Sequence, residues 1–329
     1  MNANQFVRWG IIGPGHIAEK FASDLQRLSG CALTAVASRS LERASEFAER
    51  FKIPKFYGSY HEIVKDPNVD IIYIATPHNL HCENTLLCLE NGKAVLCEKP
   101  FAINHKEAEQ MIDASIKHGV FLMEAFWTRF NPVIQTIRSI LKSGELGEIK
   151  ILKADFGFKA KYDPEGRVYN PKLGGGSLLD VGVYPLFLAG LLLGKPKLIK
   201  ALANLNKSGI DVSCGMTIKY ENGAIAILSS SIVSATEAEA HITCEHGRIY
   251  LPSRWYVPKK ALIIQDDKPE RWINEDFDGF GYQFEVLEAN RCIEGSMIES
   301  PLLTHSFSLT QMESLDEIRK QCGIVYPNE

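Results

Sequence analysis

The chain has 329 residues, 45% of them hydrophobic and 23% charged, with a formal net charge of -4. This balance excludes a largely disordered chain, and net negative charge without a basic block leaves no global attraction for nucleic acid. The length is about twice that of a typical domain, so two domains are expected.

The start, MNANQFVRWGIIG, shows no basic region, long apolar stretch or small-residue cleavage site of a signal peptide, which predicts a cytoplasmic protein. The most lipid-like stretch, SLLDVGVYPLFLAGLLLG, contains Asp180 and Pro185 and is at the short limit for a spanning helix of roughly 20 residues. A buried helix and no membrane partner are expected. The eight cysteines form no CxxC pair or metal-like cluster, so they are read as reduced packing residues.

From Phe6 to about Phe126, short apolar runs (VRWGIIG, CALTAVAS, DIIYIAT, KAVLCEK, VFLMEAF) alternate with helical patterns. This predicts a parallel sheet covered by helices, and near-continuous apolarity suits strands buried on both faces. At the first strand-to-helix junction, WGIIGPGHIAEKF fits G-x-G-x-x-A with Gly13, Gly15 and Ala18. Small residues there allow a tight turn, approach of the backbone to a pyrophosphate and close helix–strand packing. His16 and Ile17 open the helix, whose free N–H groups and dipole favour phosphate. A ligand-free glycine turn is the alternative for the pattern alone; its place between strand and helix selects dinucleotide binding.

After the second strand, AVASRSLERA offers no acidic group for a ribose 2′-hydroxyl. Ser38, Arg39 and Ser40 occupy the turn, with Arg43 one helical turn beyond Arg39. They form a nest for a 2′-phosphate and predict NADP, with NAD second. A solvated helix start is the bland alternative. Further on, IATPHNLHCENT places Thr76, Pro77, His78 and Asn79 at a strand's carboxyl end, where ligands bind in such sheets, with His81 following. No cysteine or acidic cluster joins the two histidines, so no metal is expected, and Asn79 can cap the next helix.

The following strand ends on Glu98-Lys99-Pro100 at the same edge. The lysine stem could simply pack on the strand with its ammonium in water. Beside a redox cofactor, the ammonium instead stabilises a developing alkoxide and lowers the pKa of a neighbouring acid, while Pro100 stiffens the exit. The sequence leaves open whether Glu98 orients the lysine or contacts the cofactor. Asn104 before HKE puts Glu107 at the third helical position, a variant of the capping box, and Gly119 stops that helix.

Beyond about residue 130, strand-like segments crowd together (IKILKADFGF, KLIKALANLN, DVSCGMTIKY, AIAILSSSIV, EAHITCEHG, ALIIQDD), with turns such as Glu221-Asn222-Gly223. The fold class is therefore α/β: a Rossmann dinucleotide-binding domain over 1–126, then an α+β domain over 127–329 with a large, open, mostly antiparallel sheet. The C-terminal helix could pack back on the first domain, and a ligand cleft at the junction is the default.

The ordered motifs G-x-G-x-x-A, ATPHNLH, EKP and GGGSLLDVGVYP resemble the Gfo/Idh/MocA oxidoreductase family over essentially the whole chain. Through SRSLERA, LCEKP, LMEAFWTRFNP and GIVYP the chain is most similar to the branch of dimeric dihydrodiol dehydrogenases and NADP-dependent xylose dehydrogenases. The resemblance implies homodimers through the second-domain sheet, a Lys99-Pro100 bond that is often cis, and approach of Trp127 and Arg129 to nicotinamide or substrate. Many relatives carry D-x-x-x-H where this chain has Asp180 and Tyr184, four residues apart and so on one helical face.

A free tyrosine has a pKa of about 10, too high for an efficient base, and a neighbouring Lys99 ammonium would lower it. The expected reaction is hydride transfer between nicotinamide and a small polyol, aldose or cyclic trans-diol. Tyr184 acts as acid/base, Lys99 orients the oxygen and Asp180 binds another hydroxyl or orients the pair. Tyr162, Phe158, Phe280 and Tyr282 are candidates for an aromatic wall. The alternatives are an NADP-binding sensor or scaffold without turnover and an NAD-dependent glycoside hydrolase; intact proton-transfer groups weigh against the first and the arginine pair against the second.

Overall fold

The computed structural model describes residues 6–327. The alternating runs of the first half form β1 (Val7–Ile12), α1 (His16–Leu25), β2 (Cys31–Ala37), α2 (Leu41–Phe51), β3 (Lys55–Tyr57), α3 (Tyr60–Ile63), β4 (Ile71–Ile74), α4 (His81–Glu90), β5 (Ala94–Glu98), α5 (His105–His118) and β6 (Leu122–Ala125). The six strands pair in parallel in the order β3-β2-β1-β4-β5-β6, the doubly wound arrangement whose strand order reverses beside β1. β4, β5 and β6 are buried along their whole length, which explains their unbroken apolarity. Asn104 caps α5 by accepting from the Glu107 N–H at 2.9 Å, and Gly119 ends it in the left-handed conformation.

This first unit runs to Phe130 and takes in a returning segment, Asp278–Leu309. The segment carries α8 (Gln283–Glu294). Asp24, fully buried near the end of α1, accepts from the N–H groups of Phe280, Gly281 and Tyr282 at 2.9–3.0 Å. The Trp9 indole donates to Asn290 at 3.0 Å, and the Leu122 N–H to the Ile298 carbonyl at 3.0 Å. Local periodicity cannot announce such pairings, because each joins residues more than 170 positions apart.

The second unit comprises Asn131–Phe277 and Thr310–Glu329. It opens with α6 (Pro132–Ser143), where Asn131 caps through the Val133 N–H at 3.0 Å and Pro132 occupies the first turn. An eight-stranded sheet follows, made of β7 (Ile149–Gly157), β8 (Pro196–Leu205), β9 (Asp211–Tyr220), β10 (Ile225–Ser231), β11 (Ala240–Cys244), β12 (Gly247–Leu251), β13 (Lys260–Gln265) and β14 (Arg271–Asn274). Its order is β14-β13-β12-β11-β7-β10-β9-β8, antiparallel throughout except for the β7–β10 pair.

The lipid-like stretch forms a π-helical turn, Leu178–Gly182, that runs into α7 (Val183–Leu193). The span Pro171–Leu193 is long and apolar enough for a membrane by composition, but 83% of its most apolar window is buried inside the protein. The last helix is α9 (His305–Cys322). All eight cysteines are free thiols, seven of them buried.

Candidate active site

The turn between β1 and α1 has the properties its small residues predict. Gly13 lies at φ +88, and a methyl group there would come within 2.8 Å of the Ala75 carbonyl oxygen, so the turn can approach the end of β4 only as glycine. A methyl on Gly15 would meet nothing within 4 Å, and no side chain caps α1 at that residue. The space beside the helix start is therefore open, with His16 exposed and Ile17 half-buried there. Ala18 is fully buried and lets the helix lie close to the sheet.

Past β2, Ser38 is buried and accepts from the Ser40 N–H at 3.2 Å, while the Ser40 hydroxyl caps α2 through the Arg43 N–H at 3.3 Å. Both hydroxyls thus shape the turn, leaving exposed Arg39 and Arg43 as its cations. A cavity of about 460 Å³ opens here, lined by Arg39, Ser59, Tyr60, Asn84 and Leu87 among others. Burial raises the Tyr60 phenol above its ordinary range, opposed by Arg39, which hydrogen-bonds it, and by Arg43. Tyr60 and Leu87 had escaped the sequence reading. Nothing in the sequence marked the four-residue α3, and Leu87 looks like ordinary helix packing.

The loops after β4 and β5 are tied together. His81 is fully buried, with Nδ1 2.9 Å from the Pro100 carbonyl and Nε2 3.0 Å from the Thr76 carbonyl. Burial pushes its pKa down, the two carbonyls pull it up, and the Lys99 charge adds to the lowering. The expectation that His81 binds cofactor is therefore corrected: both ring nitrogens are engaged by backbone, and the ring clamps one loop to the other. The Thr76 hydroxyl accepts from the Asn84 amide at 3.2 Å. Pro77 precedes a 3-10 turn of His78–Leu80, and His78 is buried with its ring 5.7 Å from that of His81. Asn79 does not cap α4; its Oδ1 is buried with no partner among the described residues. Among those residues no cluster of three or more metal-ligating side chains occurs.

Lys99 is partly exposed at the end of β5, and its bond to Pro100 is cis. Glu98 accepts from the hydroxyl of fully buried Tyr73, and its second oxygen accepts from the Lys99 N–H at 3.2 Å. Glu98 therefore holds the backbone of the lysine. Behind it lies a second carboxyl that periodicity could not reveal. Glu285 is fully buried, and neither of its carboxyl oxygens has a hydrogen-bond partner among the described residues; burial, then the charges of Glu98 and Asp24, push its pKa far up.

Glu124 accepts from Ser308 at 2.7 Å and from the Phe101 N–H, and burial lifts its pKa to about 7. A carboxyl raised in the folded state stabilises the fold below its unfolded value of about 4.5, and that contribution is lost as pH rises through about 7. Glu124→Gln should therefore flatten the fall in stability between about pH 4.5 and pH 8 by up to about 3 kcal/mol. Urea unfolding across that range checks it, and an unchanged slope would count against the assignment.

Trp127 is half-buried and stacks on Tyr282, with centroids 4.6 Å apart. Arg129 is 1% exposed, and its Nε donates to the Leu302 carbonyl at 2.6 Å. The guanidinium is thereby anchored to the returning segment of the first unit.

In the second unit the π turn carries Asp180, and α7 carries Tyr184 in its first turn. Asp180 is buried and paired with half-exposed Arg167 at 2.8 Å. Tyr184 is buried beside Phe156 and Tyr256, at centroid distances of 5.3 and 5.5 Å, and those two rings stack at 4.1 Å. The aromatic neighbours of Tyr184 are thus Phe156 and Tyr256. Of the four candidates for an aromatic wall, Phe158 packs on the Tyr169–Ile232 core cluster, as Phe156 does, and Tyr162 is 68% exposed against Tyr169. Phe280 and Tyr282 belong to the first unit.

The family model for the NAD-binding Rossmann fold of this oxidoreductase family matches residues 7–126, and the GFO/IDH/MocA C-terminal domain matches 134–250. The trans-1,2-dihydrobenzene-1,2-diol dehydrogenase of Mus musculus is 36% identical over 98% of this chain and 99% of its own. The chain belongs to the Gfo/Idh/MocA oxidoreductase family. It is an enzyme of the dehydrogenase/reductase type.

The Homo sapiens enzyme of the same name is 35% identical over the same shares. Among solved structures, a 3-ketoreductase from Actinomadura kijaniata in complex with NADP and TDP-benzene is 26% identical, with a TM-score of 0.86 over 96% of this chain and 98% of that one. An aldose-aldose oxidoreductase from Caulobacter crescentus, 23% identical, shares the fold with a TM-score of 0.88 over 96% of this chain and 97% of its own.

Proposed function

We propose that this Gfo/Idh/MocA member is an NADP-dependent dehydrogenase acting on a secondary hydroxyl of a small cyclic trans-diol, polyol or aldose. The observation that carries the reading is the cavity beyond β2 with Arg39 on its wall, at the same sheet edge as the uncapped start of α1. A phosphate on the ribose meets a cation there, and a pyrophosphate meets the N–H groups of His16 and Ile17 beside the Gly13–Gly15 turn. The orphaned Asn79 Oδ1 offers an acceptor to a cofactor donor, and Thr76, Pro77 and His78 complete that wall. Relatives bearing the dihydrodiol name across their full length, and a neighbour solved with NADP, support both cofactor and substrate class.

NADP, when bound, supplies the hydride acceptor or donor. Lys99 holds the reacting oxygen with its ammonium and stabilises negative charge as it develops there. Tyr184 Oη takes the hydroxyl proton in oxidation and returns it in reduction, and a cation at the reacting oxygen favours its phenolate. Asp180, paired with Arg167, accepts from a second hydroxyl. Phe156 and Tyr256 offer flat apolar faces to a ring.

A homodimer through the second-unit sheet belongs to the same reading. Exposed Leu198, Leu202, Ile225 and Ile227 alternate with buried neighbours on β8 and β10.

Incubating the protein with NADP+ or NAD+ and a panel of aldoses, inositols and trans-dihydrodiols, while following NADPH absorbance, tests the proposal. Net NADPH formation supports it; glycoside cleavage without accumulation overturns it. Arg39→Ala should weaken NADP+ affinity by about 1–3 kcal/mol, roughly 5- to 150-fold, and leave NAD+ affinity nearly unchanged. Equal affinity of the parent for the two cofactors would remove the basis of the NADP assignment.

A further inference from the structure

The GGGSLLD run is held in place from the neighbouring strands. Asp211, the first residue of β9, is fully buried, and its Oδ2 accepts from the Ser177 hydroxyl and the Leu178 N–H, both at 2.7 Å. Ser177 also meets the Ser230 hydroxyl of β10 at 3.0 Å. Gly176 lies at φ +122, and a methyl on it would run into Asp211 Oδ1. The preceding turn is tied down separately, by the Tyr326 hydroxyl donating to the Gly175 carbonyl at 2.9 Å. The carboxylate thus grips the chain two and three residues before Asp180, at the start of the π turn.

A π turn spreads the helix and is rare outside functional sites. It needs an anchor to keep one register, because the adjoining α-helical hydrogen-bond pattern competes with it. Two short hydrogen bonds to a buried carboxylate supply that anchor, and negative charge at the start of the helical segment suits its dipole.

We infer that Asp211 is a positioning residue: it fixes the rotation of the Leu178–Gly182 turn and so the places of Asp180 and Tyr184. This rests on the roles proposed above for those two groups. Asp211 itself meets no substrate; it acts through Ser177 and Leu178.

The test compares full-length Asp211→Ala and Asp211→Asn with the parent. The readouts are NADP+ affinity, kcat and KM with whichever of D-xylose and trans-1,2-dihydrobenzene-1,2-diol the parent oxidises faster, and amide exchange across 176–190. Asp211→Ala should lower kcat about 100-fold, keep NADP+ affinity within about twofold and speed exchange at 177–184. Asp211→Asn, whose side-chain oxygen still accepts, should stay within about fivefold of the parent. Should the alanine variant not fold, Ser177→Ala removes one of the two donors and should lower kcat about tenfold with the same exchange signature.

Unchanged exchange, or an asparagine variant as impaired as the alanine one, overturns the positioning role and leaves the proposed function intact. Faster exchange with unchanged kcat overturns the roles of Asp180 and Tyr184 along with the inference built on them.

Discussion

Tyr184→Phe is expected to lower kcat by about 100- to 10,000-fold, the usual contribution of a positioned proton-transfer group. NADP+ affinity should stay within about twofold. The substitution removes one oxygen and keeps the ring, so packing against Phe156 and Tyr256 survives and a folding defect does not complicate the result. Stopped-flow transients would show whether the loss lies in the chemical step. Full turnover in the variant would mean that another group carries the proton.

Gly13→Ala is expected to cost about 2–4 kcal/mol of stability and to abolish measurable dinucleotide binding. Two effects combine. The residue sits at φ +88, where an L side chain is strained, and the added carbon would lie 2.8–3.0 Å from the Ala75 carbonyl and the Thr76 nitrogen, all backbone atoms that cannot step aside by changing rotamer. The same substitution at Gly15, where nothing lies within 4 Å, should leave stability nearly unchanged and weaken only cofactor binding. Thermal unfolding with and without NADP+ separates the two positions, and equal melting temperatures for the two apo variants would count against the steric account.

How far the sequence spoke for the structure depended on how local the signal was. The Asn104 cap, the Gly119 stop and the small residues at 13, 15 and 18 act within a few positions, and each does what its chemistry demands. Asn79 shows the limit even there. A 3-10 turn runs directly into α4 and makes Leu80 its N-cap, so a residue suited to capping lies one position too early to cap it.

Long-range pairings left no periodic trace. Glu98 gains its meaning from Tyr73 on the adjoining strand, Asp180 from Arg167 in a loop, and Asp24 from a segment more than 250 residues away. The aromatic neighbours of Tyr184 are of the same kind. Phe156 and Tyr256 are ordinary strand and loop residues until the sheet brings them beside Tyr184.

The returning segment Asp278–Leu309 has a consequence for biosynthesis. The nucleotide-binding unit is discontinuous: its partners for Trp9, Asp24 and Leu122 leave the ribosome only after most of the second unit has been translated. During that interval Asp24 is a carboxylate without its three N–H donors, and the Trp9 indole has no acceptor in Asn290. The N-terminal half therefore cannot reach its final stability vectorially, as a contiguous domain does. A nascent chain arrested shortly after residue 130 should be protease-sensitive, and resistance should appear only once the α8 segment has emerged.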